Sequence, residues 1–326
     1  MLAKIVLLTN IPVPYRERIH EIVAEHYKGN YTVIYCAKSE PNRHWKTVQG
    51  NYPAIYLSET SKAYIHNQPE IWNELNILNP EVVITTGFNP TMLYAFAWCI
   101  LHNKKHIAFT DGTLHSERDL SFLHKIIRKI VYARSKSFLG PSNGSVELYK
   151  SYNINESRIF KSHLCIDNTK YTVLPVEKKE YDLMFSGQLV DRKMPLFFVE
   201  VANKIKESTG QCKVLILGKG ELQEEILSLL KKSEIEFEFP GFIQPELLPQ
   251  YYSKSKLFLF PTKNDPWGVV ANEAMASGVP VITCENAGVA YDLIVHCENG
   301  FILPLDIDVW AKHSLDLLDN KELYLQ

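Results

Sequence analysis

Two carboxylates eight positions apart, Asp265 and Glu273, stand in the stretch 256–288, KLFLFPTKNDPWGVVANEAMASGVPVITCENAG. The apolar run Leu257-Phe258-Leu259-Phe260 stops at Pro261 and reads as a buried strand. After a polar loop, Asp265-Pro266 has the form of an N-cap with proline at the first helical position. Val269, Val270, Ala274 and Met275 would form the inward side of a short helix. Gly278 and Pro280 end it, and Val281-Ile282-Thr283 opens the next strand. On one helix the two acids would lie about 12 Å apart along the axis and about 80° around it. The amides of Gly268, Val269 and Val270 would then sit between them, at a positive helix end suited to a phosphate. A nucleotide diphosphate sugar needs about that layout: an acid for ribose hydroxyls, amides for the diphosphate, a second acid for the sugar. A solvated acidic pair beside an ordinary α/β turn has the same spacing, so the spacing alone leaves both open.

The neighbouring residues carry more. Gly268, Glu273, Ala274, Met275, Ala276, Gly278, Pro280 and Val281 match the pattern Glu-x-Phe-Gly-x4-Glu-Ala-Met-Ala-x-Gly-x-Pro-Val. The stretch therefore resembles the acid-x7-acid donor signature of retaining glycosyltransferases of family 4, in the GT-B superfamily. Asp265 replaces the first glutamate and Trp267 the usual phenylalanine. The resemblance implies that Glu273 holds ribose and that Asp265 orients the sugar and supports positive charge near its anomeric carbon. The family's Gly-Arg-Leu-x-x-x-Lys-Gly step is matched by Gly187-Gln188-Leu189-Val190-Asp191-Arg192-Lys193-Met194. Lys193 would offset charge on the leaving diphosphate. Gln188 replaces the arginine and loses a bidentate phosphate contact, for which Arg192 or Arg16 could substitute. Gly218-Lys219-Gly220 resembles the step where Gly218 and Gly220 let the chain pass close to the nucleotide. Phe242 and Ile243 follow Pro240-Gly241 where the family contacts the base.

The elements ahead of these read as strand–helix alternation. Strand 4–9 leads into Pro12-Val13-Pro14-Tyr15-Arg16 and a helix to about residue 27, the first βα turn of a Rossmann-like unit. Strand 31–36 precedes Pro41-Asn42-Arg43-His44-Trp45, whose ring and charges suit a sugar face or simply anchor a surface loop. A helix over 70–78, strand 81–86, a cap at Gly87-Phe88-Asn89-Pro90, helix 91–102 and strand 107–110 follow. Arg16, Tyr15, His44, Trp45 and Asn89 are the acceptor-binding candidates. Past strand 107–110, Gly112 falls where the family commonly carries a histidine beside the transferred sugar, leaving His115 or Asp111 to take that place. Helix 120–136 alternates Leu123, Ile126, Ile127, Ile130 and Val131 with Lys125, Arg128, Lys129, Arg134 and Lys136. Either its apolar stripe packs on a sheet and its cations meet water, or the helix lies on a membrane surface. Periodicity fades and charge rises over 169–180, which marks a linker.

Bulk properties fit an ordinary globular chain. The 326 residues are 46% hydrophobic and 22% charged, with a net charge of −2. Residues 1–172 hold 20 Lys+Arg against 14 Asp+Glu, and the remainder 15 against 23. A basic first half favours a phosphate-bearing acceptor or an anionic membrane surface, or is solvated charge spread unevenly. The six cysteines form no CxxC pair and read as buried and reduced, which suggests the cytosol. No apolar run reaches membrane-spanning length, and the first eight residues are too short for a signal peptide.

These features predict an α/β protein with the GT-B fold, two Rossmann-like parallel-sheet domains facing across a cleft. Residues 1–172 would bind the acceptor and 173–326 the nucleotide-sugar donor, with residues 322–326 leaving no length for a terminal crossover helix. The resemblance implies a retaining, metal-independent transfer of a hexose-type sugar from a UDP- or GDP-linked donor to a glycan or lipid-linked acceptor. Cell-surface glycan synthesis (lipopolysaccharide, capsule or exopolysaccharide) at the inner face of the plasma membrane is the expected setting. The sequence offers no His cluster for a divalent ion and no nucleic-acid signature. A GT-B sugar-nucleotide epimerase and a non-catalytic nucleotide-sugar binder are the alternatives. A dinucleotide oxidoreductase is disfavoured, because neither half has Gly-x-Gly-x-x-Gly after its first strand.

Overall fold

The computed structural model describes residues 2–41, 43, 45, 46, 49–61 and 65–325. The chain divides into two compact units, Met1–Cys165 and Ile166–Gln326. The division falls seven residues before the expected 172/173. Segment 166–180 explains the difference, because it is stitched to the second unit. The Lys179 ammonium is buried there and donates to the carbonyls of Ser255 at 3.0 Å and Gly278 at 2.9 Å. Burial lowers its pKa to about 8.

The first unit runs β1 (Ile5–Thr9), α1 (Pro14–Tyr27), β2 (Tyr31–Tyr35), β3 (Ala54–Tyr56), α2 (Ile71–Leu78), β4 (Val82–Thr85) and α3 (Pro90–Leu101). It continues with β5 (Lys105–Phe109), α4 (Phe122–Arg134), β6 (Ser137–Gly140), α5 (Asn143–Ser151) and β7 (Ile159–Lys161). Its sheet is parallel throughout, in the order β3-β2-β1-β4-β5-β6-β7. A parallel sheet needs cover on both faces, and its strands are accordingly near-continuous apolar runs. Leu75, Met92, Trp98 and Cys99 pack on one part of it, and Val131, Tyr132 and Tyr149 on another. Side-chain caps start the helices where the sequence places them: Asn89 accepts from the Met92 amide, Ser121 from His124 and Ser142 from Ser145.

The second unit runs β8 (Tyr181–Ser186), α6 (Pro195–Thr209), β9 (Lys213–Leu217), α7 (Gln223–Lys232), β10 (Glu236–Gly241), α8 (Leu248–Tyr252) and β11 (Ser255–Phe260). Then come α9 (Val269–Ala276), β12 (Val281–Thr283), β13 (Gly300–Ile302), α10 (Ile307–Asp319) and α11 (Lys321–Leu325). The order is β10-β9-β8-β11-β12-β13, again parallel. Trp310 is fully buried against Phe197 in this core and donates to the Pro304 carbonyl at 2.7 Å. Residues 321–325 form the short helix α11, whose Tyr324 hydroxyl reaches the Lys256 carbonyl at 2.8 Å. Cysteines 36, 99, 212 and 284 are buried as expected, whereas Cys165 and Cys297 are exposed. No described helix is long and apolar enough to cross a membrane.

Candidate active site

Ligands of open parallel sheets collect at the carboxyl ends of the strands, where the strand order reverses. In the second sheet that reversal lies between β8 and β11. Gly187, Gln188, Arg192 and Lys193 leave β8, and Asp265 follows β11. Folding joins the two loops: the Lys193 ammonium pairs with the Asp265 carboxylate. The same ammonium lies 5.6 Å from the centre of the Phe260 ring. The residues expected to stabilise the leaving group and to orient the sugar are thus partners in this structure. Arg192 is spent elsewhere, its guanidinium donating to the Asn264 carbonyl at 2.6 Å. Gln188 is exposed on the loop.

Asp265 is not the N-cap its sequence suggests. Its carboxylate accepts from the Trp267 amide at 3.2 Å, while its backbone bonds the Asn286 carbonyl and the Gly288 amide. That turn carries the chain past Pro266 and Trp267, and α9 begins only at Val269. Gly268 sets the start. It has φ +102°, and a Cβ there would run into the Phe260 ring. Asp265 therefore sits on a fixed loop, and the helical separation of the two acids does not apply. Gly268 becomes the cap, leaving the amides of Val269 and Val270 as the first unsatisfied donors of α9.

Glu273 lies on the second turn of α9, facing two tyrosines. The Tyr252 hydroxyl, from α8, donates to it at 2.8 Å, and the Tyr171 hydroxyl bonds it from the segment ahead of β8. Burial pushes the Glu273 carboxyl up to about 7, with both phenols pulling the other way. Two hydroxyl donors on one carboxylate is the contact pattern a ribose diol would make. Neither tyrosine was a sequence candidate. Tyr252 closes a short helix, and Tyr171 lies in the stretch read as a linker.

Gly218 and Gly220 have a different reason from the expected approach to a nucleotide. A Cβ at 218 would fall on the Gly187 carbonyl, and one at 220 on the Leu189 carbonyl. Glycine there lets the β8 and β9 loops lie backbone to backbone, tied by Leu189 N–H to Lys219 O at 2.9 Å. Phe242 and Ile243 follow β10, partly buried, beside the bond from Gly218 to Gly241. Gly288 has a comparable constraint, since a Cβ would strike the Pro266 carbonyl. Gly288→Ala is expected to displace the Asp265 loop and lower the melting temperature while circular dichroism stays native. An unchanged melting temperature would show that the loop adapts.

In the first unit the order reverses between β1 and β4. Asn89 caps α3 with its carbonyl oxygen and donates to Asn10 at 2.9 Å, so its side chain is committed at that reversal. Trp45 donates to the Pro12 carbonyl at 3.4 Å, and the Arg43 guanidinium lies 5.0 Å from the Trp45 ring. Tyr15 and Arg16 open α1, and Arg16 stacks over Phe109 at 4.8 Å. His44 lies outside the described residues. Beneath this loop, fully buried His66 sits 2.9 Å from Glu40, a pair the sequence did not flag. Asp111 and His115 are both exposed on the loop after β5. Gly112 is buried, and a Cβ there would come within 2.8 Å of the Glu117 carboxylate, so a side chain at the family's histidine position would require Glu117 to shift.

This fold has counterparts. Residues 168–326 match the family model described as glycosyl transferases group 1. The chain resembles that group, and its fold is that of GT-B glycosyltransferases. Anabaena HepE, solved in complex with UDP, superposes with a TM-score of 0.77 over 99% of this chain and 92% of its own, at 14% identity. A 2-deoxystreptamine N-acetyl-D-glucosaminyltransferase of Niallia circulans is 28% identical over 141 residues, 42% of this chain and 36% of that protein. The O-antigen chain mannosyltransferase B of Escherichia coli is 23% identical over 235 residues, 67% of this chain and 57% of that protein. The chain thus spans only part of the length of the curated relatives it matches.

Proposed function

We propose that the chain is a retaining glycosyltransferase that moves a hexose-type sugar from a UDP- or GDP-linked donor to a hydroxyl of a glycan or lipid-linked acceptor, in cell-surface glycan synthesis. The observation carrying this reading is the meeting of Lys193 and Asp265 at the strand-order reversal, with Glu273 behind them on α9. The second unit would bind the donor, with Glu273 taking ribose hydroxyls from its tyrosines and the Val269 and Val270 amides taking phosphate oxygens. As the bond from C1 to the diphosphate breaks, the departing oxygen gains charge, and Lys193 would turn from Asp265 towards it. Asp265 would then hold sugar hydroxyls. The acceptor oxygen bonds C1, and its proton leaves with the diphosphate.

The first unit would take the acceptor, with Arg16, Tyr15 and Trp45 as its candidate contacts. The reaction would need no divalent ion, as the family resemblance implies. Acceptor-dependent release of nucleoside diphosphate, with an α-donor giving an α-product, tests the proposal. Release without acceptor would favour the epimerase, and binding without release the non-catalytic protein.

The same reading places the enzyme on the cytoplasmic membrane surface. On α4, Phe122, Leu123 and Ile130 are exposed rather than packed on the sheet, among Lys125, Lys129 and Arg134. Arg128 does not join that face; it turns to Glu117 at 2.7 Å and to the Phe88 ring. Attachment to vesicles containing acidic phospholipid is expected, at about 1 kcal/mol per cation near the surface and falling as salt rises. Equal partitioning to neutral and acidic vesicles would contradict it.

A further inference from the structure

The first unit holds a cavity of about 720 Å³ that the donor site does not use, within the range of about 300–1,000 Å³ usual for small-molecule sites. Phe122, Ile126, Lys129 and Ala133 line it along one stripe of α4 at helical spacing. Leu148, Tyr152 and Ile154 form the wall contributed by α5 and the chain beyond it. The lining is divided in character. Four cations, Arg118, Lys125, Lys129 and Arg158, accompany the apolar walls, with Glu117 as the single carboxylate.

Glu117 does not repel an anion here, because Arg128 neutralises it at 2.7 Å. Arg158 is tied to the carbonyls of Ser135 and Lys136, and Lys125 donates to the Arg118 carbonyl at 3.0 Å. Arg118 and Lys129 have no carboxylate partner among the described residues. Tyr132 adds an independent sign. It is 3% exposed and lines the cavity, its ring is gripped edge-on by Phe88 and Tyr149, and its buried hydroxyl has no hydrogen-bond partner among the described residues. Leaving such a group unmatched costs about 1–3 kcal/mol. A ligand oxygen would satisfy it.

We propose that this cavity binds one anionic amphiphile with a phosphate headgroup. Arg118 and Lys129 hold the phosphate, the Tyr132 hydroxyl donates to a ligand oxygen, and the apolar chain lies along Ile126, Leu148 and Ile154. The site shares no residue with the donor site and rests on the proposed function only for the source of its lipid. That source is either a bilayer phospholipid or a lipid-linked acceptor, whose shared chemistry is a phosphate on an apolar chain.

Native mass spectrometry of the full chain tests it, with monomeric short-chain phosphatidylglycerol, a polyprenyl phosphate in neutral detergent, and inorganic phosphate as probes. One saturable 1:1 adduct is expected with either lipid and none with inorganic phosphate; the tighter lipid identifies the source. Ala133→Trp, which fills the stripe from an exposed position, and Lys129→Glu should each weaken the adduct by about tenfold or more at unchanged melting temperature. Tyr132→Phe should weaken it less. Leu123→Glu with Ile130→Glu, both outside the lining, should abolish vesicle attachment yet keep the adduct, which separates this site from the membrane reading. Lack of an adduct, equal binding of inorganic phosphate, or indifference to both Ala133→Trp and Lys129→Glu would overturn the proposal.

Discussion

Lys193→Ala is expected to lower kcat by about 10²- to 10³-fold, the scale for removing one preorganised electrostatic stabiliser. KM should change less, because the contact strengthens as charge builds on the departing diphosphate. The ion pair adds a second consequence. Without Lys193, the carboxylate of Asp265, 8% exposed, loses its cation, and breaking such a pair costs about 3–5 kcal/mol when fully buried. The alanine protein should therefore also melt earlier. Lys193→Arg separates the effects: it restores the pair and most of the stability, and recovers part of kcat. Arg192→Ala should stay near wild-type turnover, since Arg192 serves the Asn264 carbonyl. A dead Arg192→Ala beside an active Lys193→Ala would make Arg192 the phosphate cation.

Glu273→Gln is expected to act in opposite directions on stability and binding. The native carboxyl has its pKa raised to about 7 by burial, above its unfolded value. Between those values the folded state holds the proton more tightly, so stability falls as pH rises through the window. At pH 8 the charged form is buried at a cost that glutamine does not bear. The variant should gain about 1–3 kcal/mol there and nothing at pH 4, where both states are protonated. Nucleotide binding should weaken by about 1.5–3 kcal/mol, because ribose hydroxyls lose a charged acceptor. In the wild type, nucleotide affinity should fall as pH drops below about 7. Equal melting at both pH values, with unchanged affinity, would remove Glu273 from the site.

How far the sequence could be read depended on the range of each interaction. The βα alternation and the Asp265–Gly288 stretch were legible because their signals are local: apolar runs, caps, and a long motif of small residues. The edge strands β3 and β7, three residues each, were not, being too short to show a pattern. The start of α9 was misplaced because Asp-Pro mimics a cap while the deciding contact, Gly268 against Phe260, comes from the preceding strand. The Lys193–Asp265 pair joins residues 72 positions apart, a proximity that only the strand order creates. Tyr171 was passed over because its stretch lacks periodicity, which is how a segment bound by single side chains looks. Helix periodicity on α4 identified an apolar stripe, but which of its residues are covered is decided by neighbours far along the chain, and Leu123 and Ile130 stay exposed.

Calorimetric titration of the full chain with UDP and GDP, beside UMP and GMP, tests the donor site most directly. A single site is expected for one of the diphosphates, tighter than its monophosphate by about tenfold or more, the scale of a charge-assisted phosphate contact. That margin should shrink in Lys193→Ala and the site itself weaken in Glu273→Gln. Failure of both diphosphates to bind, or binding that neither substitution alters, would contradict a nucleotide-sugar site at Lys193, Asp265 and Glu273.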